Sequence, residues 1–344
     1  MKKLALFSAA AFAALAGAAS AQAPDSKVTQ NGPAGNTAAV NQTAATGAAT
    51  SSVEQSSLLF GNDANVIQSG AASDSTIEQI GDLNAATVTQ AGASTSNIDQ
   101  IGAGNDATVL QQGDDNSSTV TQVGVDNDVE RIAAAGVTQL GEGNISSVDQ
   151  SGAGNDATVF QQGDENSSTV TQAGVDNDAL RVAAAGVTQL GEGNISSIEQ
   201  TGSGLDASVL QNGGGNISTI SQTGEDNNVV AFDTAGVTQL GDGNSSNVIQ
   251  SGAGPGRIQG NNLALVFQDG IGNDSSITQS GTSLDGFFFD NVNNTASVEQ
   301  IGDGNTSQIG QTGSENSANV LQAGASGFSN VGQSGFGNTA TVTQ

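Results

Sequence analysis

The side chains here that could do acid–base chemistry are carboxylates. The chain has no His and no Cys, and its 34 Asp and Glu stand against 6 Lys and Arg, a formal charge of −28. Glu142 and Glu192 hold one place in a long repeat, fifty residues apart, which suits stacking better than a unique site. No carboxylate pair is set up as acid and base, and we assign no catalytic residue, no cofactor and no enzyme activity. Asp126, Asn127 and Asp128, repeated as Asp176, Asn177 and Asp178, offer oxygen ligands to a hard cation such as calcium. Such acidic turns are more often solvated charge. Calcium-binding β-rolls use a nine-residue repeat, whereas the period here is eleven, and we assign no metal ligand. The acidic balance argues against nucleic acid as a partner, because phosphate binding needs clustered Lys and Arg.

What remains is amide chemistry, and it is repetitive. From Gln100 the chain reads Gln-Ile-Gly-Ala-Gly-Asn-Asp-Ala-Thr-Val-Leu, and Gln111 opens the next copy, which closes on Gln122. In each copy Gly follows Gln by two, Asn by five, a small residue by seven and a β-branched residue by nine. A carboxamide carries both donor and acceptor, so a column of aligned amides satisfies itself and tolerates burial. The expected stacking ladder is built from Gln100, Asn105, Val109, Gln111, Asn116, Val120 and Gln122. It continues through Gln139, Asn144, Val148, Gln150, Asn155, Val159, Gln161, Gln189 and Gln200 to Gln333 and Gln344.

The elements that must hold such columns follow from the spacing. Asn105, Ala107, Val109 and Gln111 alternate, so a strand turns all four to one side. Val or Ile stands two residues before Gln in 26 units, from Val28 to Val342, and β-branched residues suit a pleated surface. The segment Gln-x-Gly-x-x-Asn is a turn. Gly102, Gly113, Gly124, Gly141, Gly152 and Gly163 supply positive φ, and the Asn tolerates it or closes the turn with its side chain. Two units make an arch of twenty-two residues that cannot stand alone. Ordering it costs roughly 1–2 kcal/mol per residue in backbone entropy, and two inward Val side chains return only about 1.5–3 kcal/mol each. Stacking the arches solves this. The expectation is an all-β, parallel, two-sided β-solenoid with a thin core of Val, Ile, Ala and Ser. About twelve rungs at ~4.8 Å would make a rod on the order of 60 Å long.

Along the chain, Lys2 and Lys3, the apolar run Leu4 to Ala16 and the small residues at 19–23 read as a secretory signal peptide over 1–21, with cleavage after Ala21 or after Ala23. No other segment is long and apolar enough to span a bilayer. Residues 22–67 read as an irregular leader with degenerate repeats, because Gln30, Gln42, Gln55 and Gln68 are unevenly spaced and the Gly is missing at Ala44 and Ser57. Residues 68–344 are the solenoid. A fifty-residue super-repeat puts Gln100, Gln150, Gln200 and Gln250 in one place, with six extra residues near 128–132, 178–182 and 228–232. Further loops are expected at 251–262, where Pro255 excludes a central strand, and at 282–294. There Phe287, Phe288 and Phe289 either dock a neighbour or tuck against the solenoid.

The copies at Gln100–Gln111 and Gln150–Gln161 resemble the curlin repeat, and the likeness runs from about Gln68 to Gln344. Curlin proteins are subunits of curli, the amyloid fibres of bacterial biofilms. The resemblance implies a curlin-repeat solenoid that is cross-β when assembled, and a secreted fimbrial subunit acting in cell adhesion and biofilm matrix. It implies self-association, a curli-type nucleator, and an outer-membrane secretion channel reached through the periplasm of a Gram-negative-type bacterium. The final residues Ala340, Val342 and Gln344 form an ordinary unit, as a polymerisation edge would. The alternative is a monomeric or surface-anchored solenoid acting as adhesin or nucleator, with cation binding as an option. Stacked acidic turns should repel one another, so assembly is expected to quicken at acidic pH or in raised salt.

Overall fold

The computed structural model describes residues 24–33, 35–43, 48–70, 72–125, 133–175, 183–225, 234–252, 262–281 and 294–344. The apolar N-terminal segment, the insertions at 128–132, 178–182 and 228–232, residues 253–261 and 282–293, and hence Phe287 to Phe289, lie outside the described residues. Twenty-six strands, from Asp25–Asn31 to Thr339–Thr343, form two parallel sheets of thirteen. Successive strands alternate between the sheets, so one turn of the solenoid spends one strand in each. A strand therefore pairs with the strand two further along. Thr95–Ala103 lies beside Ser117–Val125, with Gln100 opposite Gln122 and Ile98 opposite Val120. Among the described residues no helix is long and apolar enough to cross a membrane.

The period-two pattern places every inward residue as the sequence requires. In Asn105–Gln112 the residues Asn105, Ala107, Val109 and Gln111 are buried, and Asp106, Thr108 and Leu110 face outward. The core is a double file of aliphatic side chains, including Val109, Val120, Val148, Val159, Ile198 and Ile220. The two sheets differ in their small inward residue. One carries a column of buried serines running through Ser96, Ser118, Ser146 and Ser168, and the other carries Ala107, Ala157, Ala207 and Ala264. We call them the serine sheet and the alanine sheet.

Two expectations need correction. The solenoid does not begin at Gln68. The described part of the supposed leader already forms four in-register strands, Asp25–Asn31, Thr37–Gln42, Thr50–Ser56 and Asp63–Gln68. The alternation around Val28, Val40, Val53 and Val66 was enough to set the pairing, and the uneven spacing fell in the turns. The rungs therefore number thirteen rather than about twelve. All five expected insertions follow a serine-sheet strand and precede an alanine-sheet strand, so they share one edge of the solenoid. We call this the insertion edge, and the opposite one the asparagine edge.

Candidate functional site

Each sheet contains one glutamine column, and neither is broken. On the serine sheet the Nε2 of each Gln donates to the Oε1 of the next, from Gln30 through Gln100, Gln122, Gln150 and Gln200 to Gln333, at 2.8–2.9 Å. On the alanine sheet the column runs from Gln42 through Gln111, Gln139, Gln161 and Gln189 to Gln344 at 2.8–3.0 Å. Every link donates toward the C-terminus. At many rungs the second hydrogen on Nε2 crosses the core. Gln122 donates to Asp106 O and Gln111 to Thr95 O, both at 3.0 Å, so these amides also tie one sheet to the other. Where both hydrogens are used in this way the buried amide carries no unmet donor.

The asparagines run the opposite way. On the asparagine edge Asn144 donates from its backbone N and its Nδ2 to Asn116 Oδ1, at 3.0 and 3.1 Å. The same pair of bonds repeats at Asn166, Asn194, Asn216, Asn244, Asn273 and Asn305. The Asn side chains also cap glycine carbonyls of the next rung, as Asn194 Nδ2 does to Gly213 O at 2.9 Å. Of the two roles expected for Asn, positive φ is not adopted by any among the described residues. Its side chain closes the turn instead.

The ladder expected at Asn105 and Asn155 is also corrected. Asn105 donates to Asn84 below it, but its register partner above is Ala133, and Asn155 has Ala183 above. The six-residue insertions bring an alanine into the column at those rungs, so these two asparagines do not stack on their own kind from both sides.

The turn glycines have a reason beyond φ. A Cβ on Gly102 would sit 1.6 Å from Gly124 O, and one on Gly152 1.6 Å from Gly174 O, so stacking itself excludes any side chain there. On the asparagine edge the equivalent Gly113, Gly141 and Gly163 are slightly looser, with the nearest carbonyl 2.0–2.2 Å away.

Two features escaped the sequence reading. The first is a set of aspartates three residues after Gln that tie rungs together. Asp114, Asp164, Asp242 and Asp303 accept the backbone N–H of Ala93, Glu142, Gly214 and Ile271 in the rung below, at 2.8–3.0 Å. Asp82 accepts from Leu58, Leu59 and Phe60, and the N–H groups of Leu59 and Leu58 hold its carboxyl below the usual range. Gln-x-x-Asp was the available signal. By contrast, Asp106, Asp156 and Asp206 are half-buried on alanine-sheet strands, and loss of water raises their pKa values. The second feature is the serine column. The hydroxyls of Ser96, Ser118, Ser146, Ser168, Ser196, Ser218, Ser246 and Ser275 are buried without a hydrogen-bond partner. Toward the two ends of the column neighbouring hydroxyls do meet, Ser75 Oγ donating to Ser51 Oγ at 3.4 Å and Ser329 Oγ to Ser307 Oγ at 3.1 Å.

Among the described residues the arrangement is one of amide columns running along the axis from rung to rung. Three stretches, residues 93–124, 152–180 and 292–324, match the family model for the curlin associated repeat. A comparison with curated proteins finds no match.

Proposed function

We propose that this chain, three stretches of which match the curlin associated repeat, is a structural fibre subunit of the curlin family that is secreted and self-assembles into extracellular, amyloid-like fibres serving adhesion and biofilm matrix. One observation carries the reading. Both glutamine columns persist through all thirteen rungs with every link in one sense. A rung at a free edge displays the same amides, strand N–H groups and carbonyls as an interior rung, so a second copy docks by repeating the contact already made inside the chain. The donor sense supports stacking that is head to tail, a heterologous contact that does not close and so makes filaments.

The signal-peptide pattern supports export, and the family resemblance supports a nucleator and an outer-membrane channel as partners. The reading is tested by following thioflavin fluorescence and electron micrographs of the purified chain as it is brought out of denaturant. Growth of fibres with cross-β spacing is expected. A chain that stays monomeric across a range of pH and salt would sink it.

A further inference from the structure

Three glycines of the alanine sheet are not required by the fold of the single chain. Gly136, Gly186 and Gly236 lie mid-strand, three residues before Gln139, Gln189 and Gln239, and face outward. None has positive φ. A Cβ built on Gly136 meets nothing within 4 Å. On Gly186 it meets only Thr158 Oγ1 at 3.5 Å, and on Gly236 Leu265 Cδ2 at 3.4 Å and Ser208 Oγ at 3.7 Å, all ordinary contacts. A strand glycine with no internal need weakens its strand, and such residues mark places where another chain comes close.

Their surroundings repeat with them. The intervening strands carry Leu110, Phe160, Leu210 and Phe267 directly before their glutamines. Register sets Phe160 between Thr138 and Thr188, and Leu210 beside Thr188. Bulky rungs therefore alternate with notched rungs at a spacing of about 9.6 Å, twice the strand separation. The serine sheet has no such relief. Its equivalent column carries Asp99, Asp149 and Glu199 alternating with Thr121, Thr171 and Ser221. Gly310 and Gly332 also leave open space on that sheet, but on neighbouring rungs with no knob between them.

Knobs and notches of equal period let the face receive its own copy shifted by one rung. We propose that the outer face of the alanine sheet, from strand Asn105–Gln112 to strand Leu263–Asp269, is a lateral pairing surface for the same face of a second copy, with Leu110, Phe160 and Leu210 seated over the three glycines. Seven strands of seven or eight residues cover roughly 34 by 25 Å. That is about 800 Å² per partner, the size of a standard stable interface. Asp106, Asp156 and Asp206 stand at the start of their strands, on the margin of the patch, and leave its centre uncharged.

The chain has no Cys, so single cysteines report the contact. Thr188→Cys on the notched face and Thr171→Cys on the serine sheet are treated with a short bis-maleimide. Copies stacked only end to end keep these positions on the order of 60 Å apart, so a cross-linked dimer reports side-by-side pairing. Dimer is expected from Thr188→Cys and not from Thr171→Cys. It should be lost when Gly136, Gly186 and Gly236 are all changed to Val, a variant whose folded state is checked by hydrogen exchange. Equal cross-linking from both faces, or cross-linking that survives filling of the notches, overturns the proposal. If fibres never form while the Thr188→Cys dimer persists, the fibre reading falls and the pairing surface stands.

Discussion

On the asparagine edge, eight asparagines stack without a gap from Asn116 to Asn305, and each after the first is held by two hydrogen bonds to the one below. On the insertion edge the column runs through Asn62, Asn84 and Asn105, is interrupted at Ala133 and Ala183, and resumes through Asn262, Asn294, Asn316 and Asn338. All five insertions fall on that second edge. The difference teaches that rung register does not depend on the turns of both edges. The glutamines lie within the strands, so their columns pass the insertions unbroken. The turn asparagines report only on their own edge, and one intact edge suffices.

Four tests would break or sharpen this contrast. The largest effect is expected at what both edges share. Gln161→Glu puts a carboxylate where an amide donates to Gln189 Oε1 and Ile145 O, leaving a buried charge among acceptors. A loss of roughly 3–5 kcal/mol is expected, read as collapse of hydrogen-exchange protection in the neighbouring rungs.

Next is the glycine pair. Gly152→Ala on the insertion edge drives a Cβ to 1.6 Å from Gly174 O, whereas Gly193→Ala on the asparagine edge meets nothing within 4 Å and bears only its positive φ. The first should cost about 3 kcal/mol or more and the second about 1–2 kcal/mol. Equal urea midpoints would show that rung spacing relaxes freely.

The edges are compared directly by Asn194→Ala and Asn155→Ala. The former strands the Asn216 amide donors and Gly213 O, and should cost about 2 kcal/mol. The latter gives up the bond to Ser151 O and should cost less than about 1 kcal/mol. If the two cost the same, the asparagine edge is not the one that holds register.

The smallest effect is that of pH. Asp106, Asp156 and Asp206 have raised folded pKa values, so the folded chain binds protons that the unfolded chain does not yet hold. Stability should therefore rise as pH falls from neutral toward the ordinary carboxylate range. Asp82 acts in reverse. Its contribution is present above its ordinary value and is lost as pH falls through its lowered one. Denaturation midpoints should show an acid-side maximum that the triple Asp→Asn variant at 106, 156 and 206 flattens.

Much of the ladder was readable because each inward residue announces itself at a fixed distance from Gln. Two failures came from treating units as equal. Ser96, Ala107, Ser118, Ala135 and Ser146 alternate strictly along the chain, and that alternation distinguishes the two sheets; counting both as small residues hid it. Asn105 and Asn155 match the repeat as well as Asn116 and Asn144 do, but stacking joins residues twenty-one or more apart, and only the neighbour above decides whether a column continues. Asp114 and Asp164 give no sign of their role within one unit, because a bond to the rung below needs the rung below to be in place.

The sequence by itself determined the strand, the turn and the inward set, since alternation, β-branching and glycine placement act within eleven residues. It also required stacking, because an isolated arch cannot offset its ordering entropy. Tertiary structure alone decided which copies become neighbours, that all insertions share one edge, and that the two outer faces differ. Those outcomes depend on contacts a full turn apart, where identical units meet unlike partners.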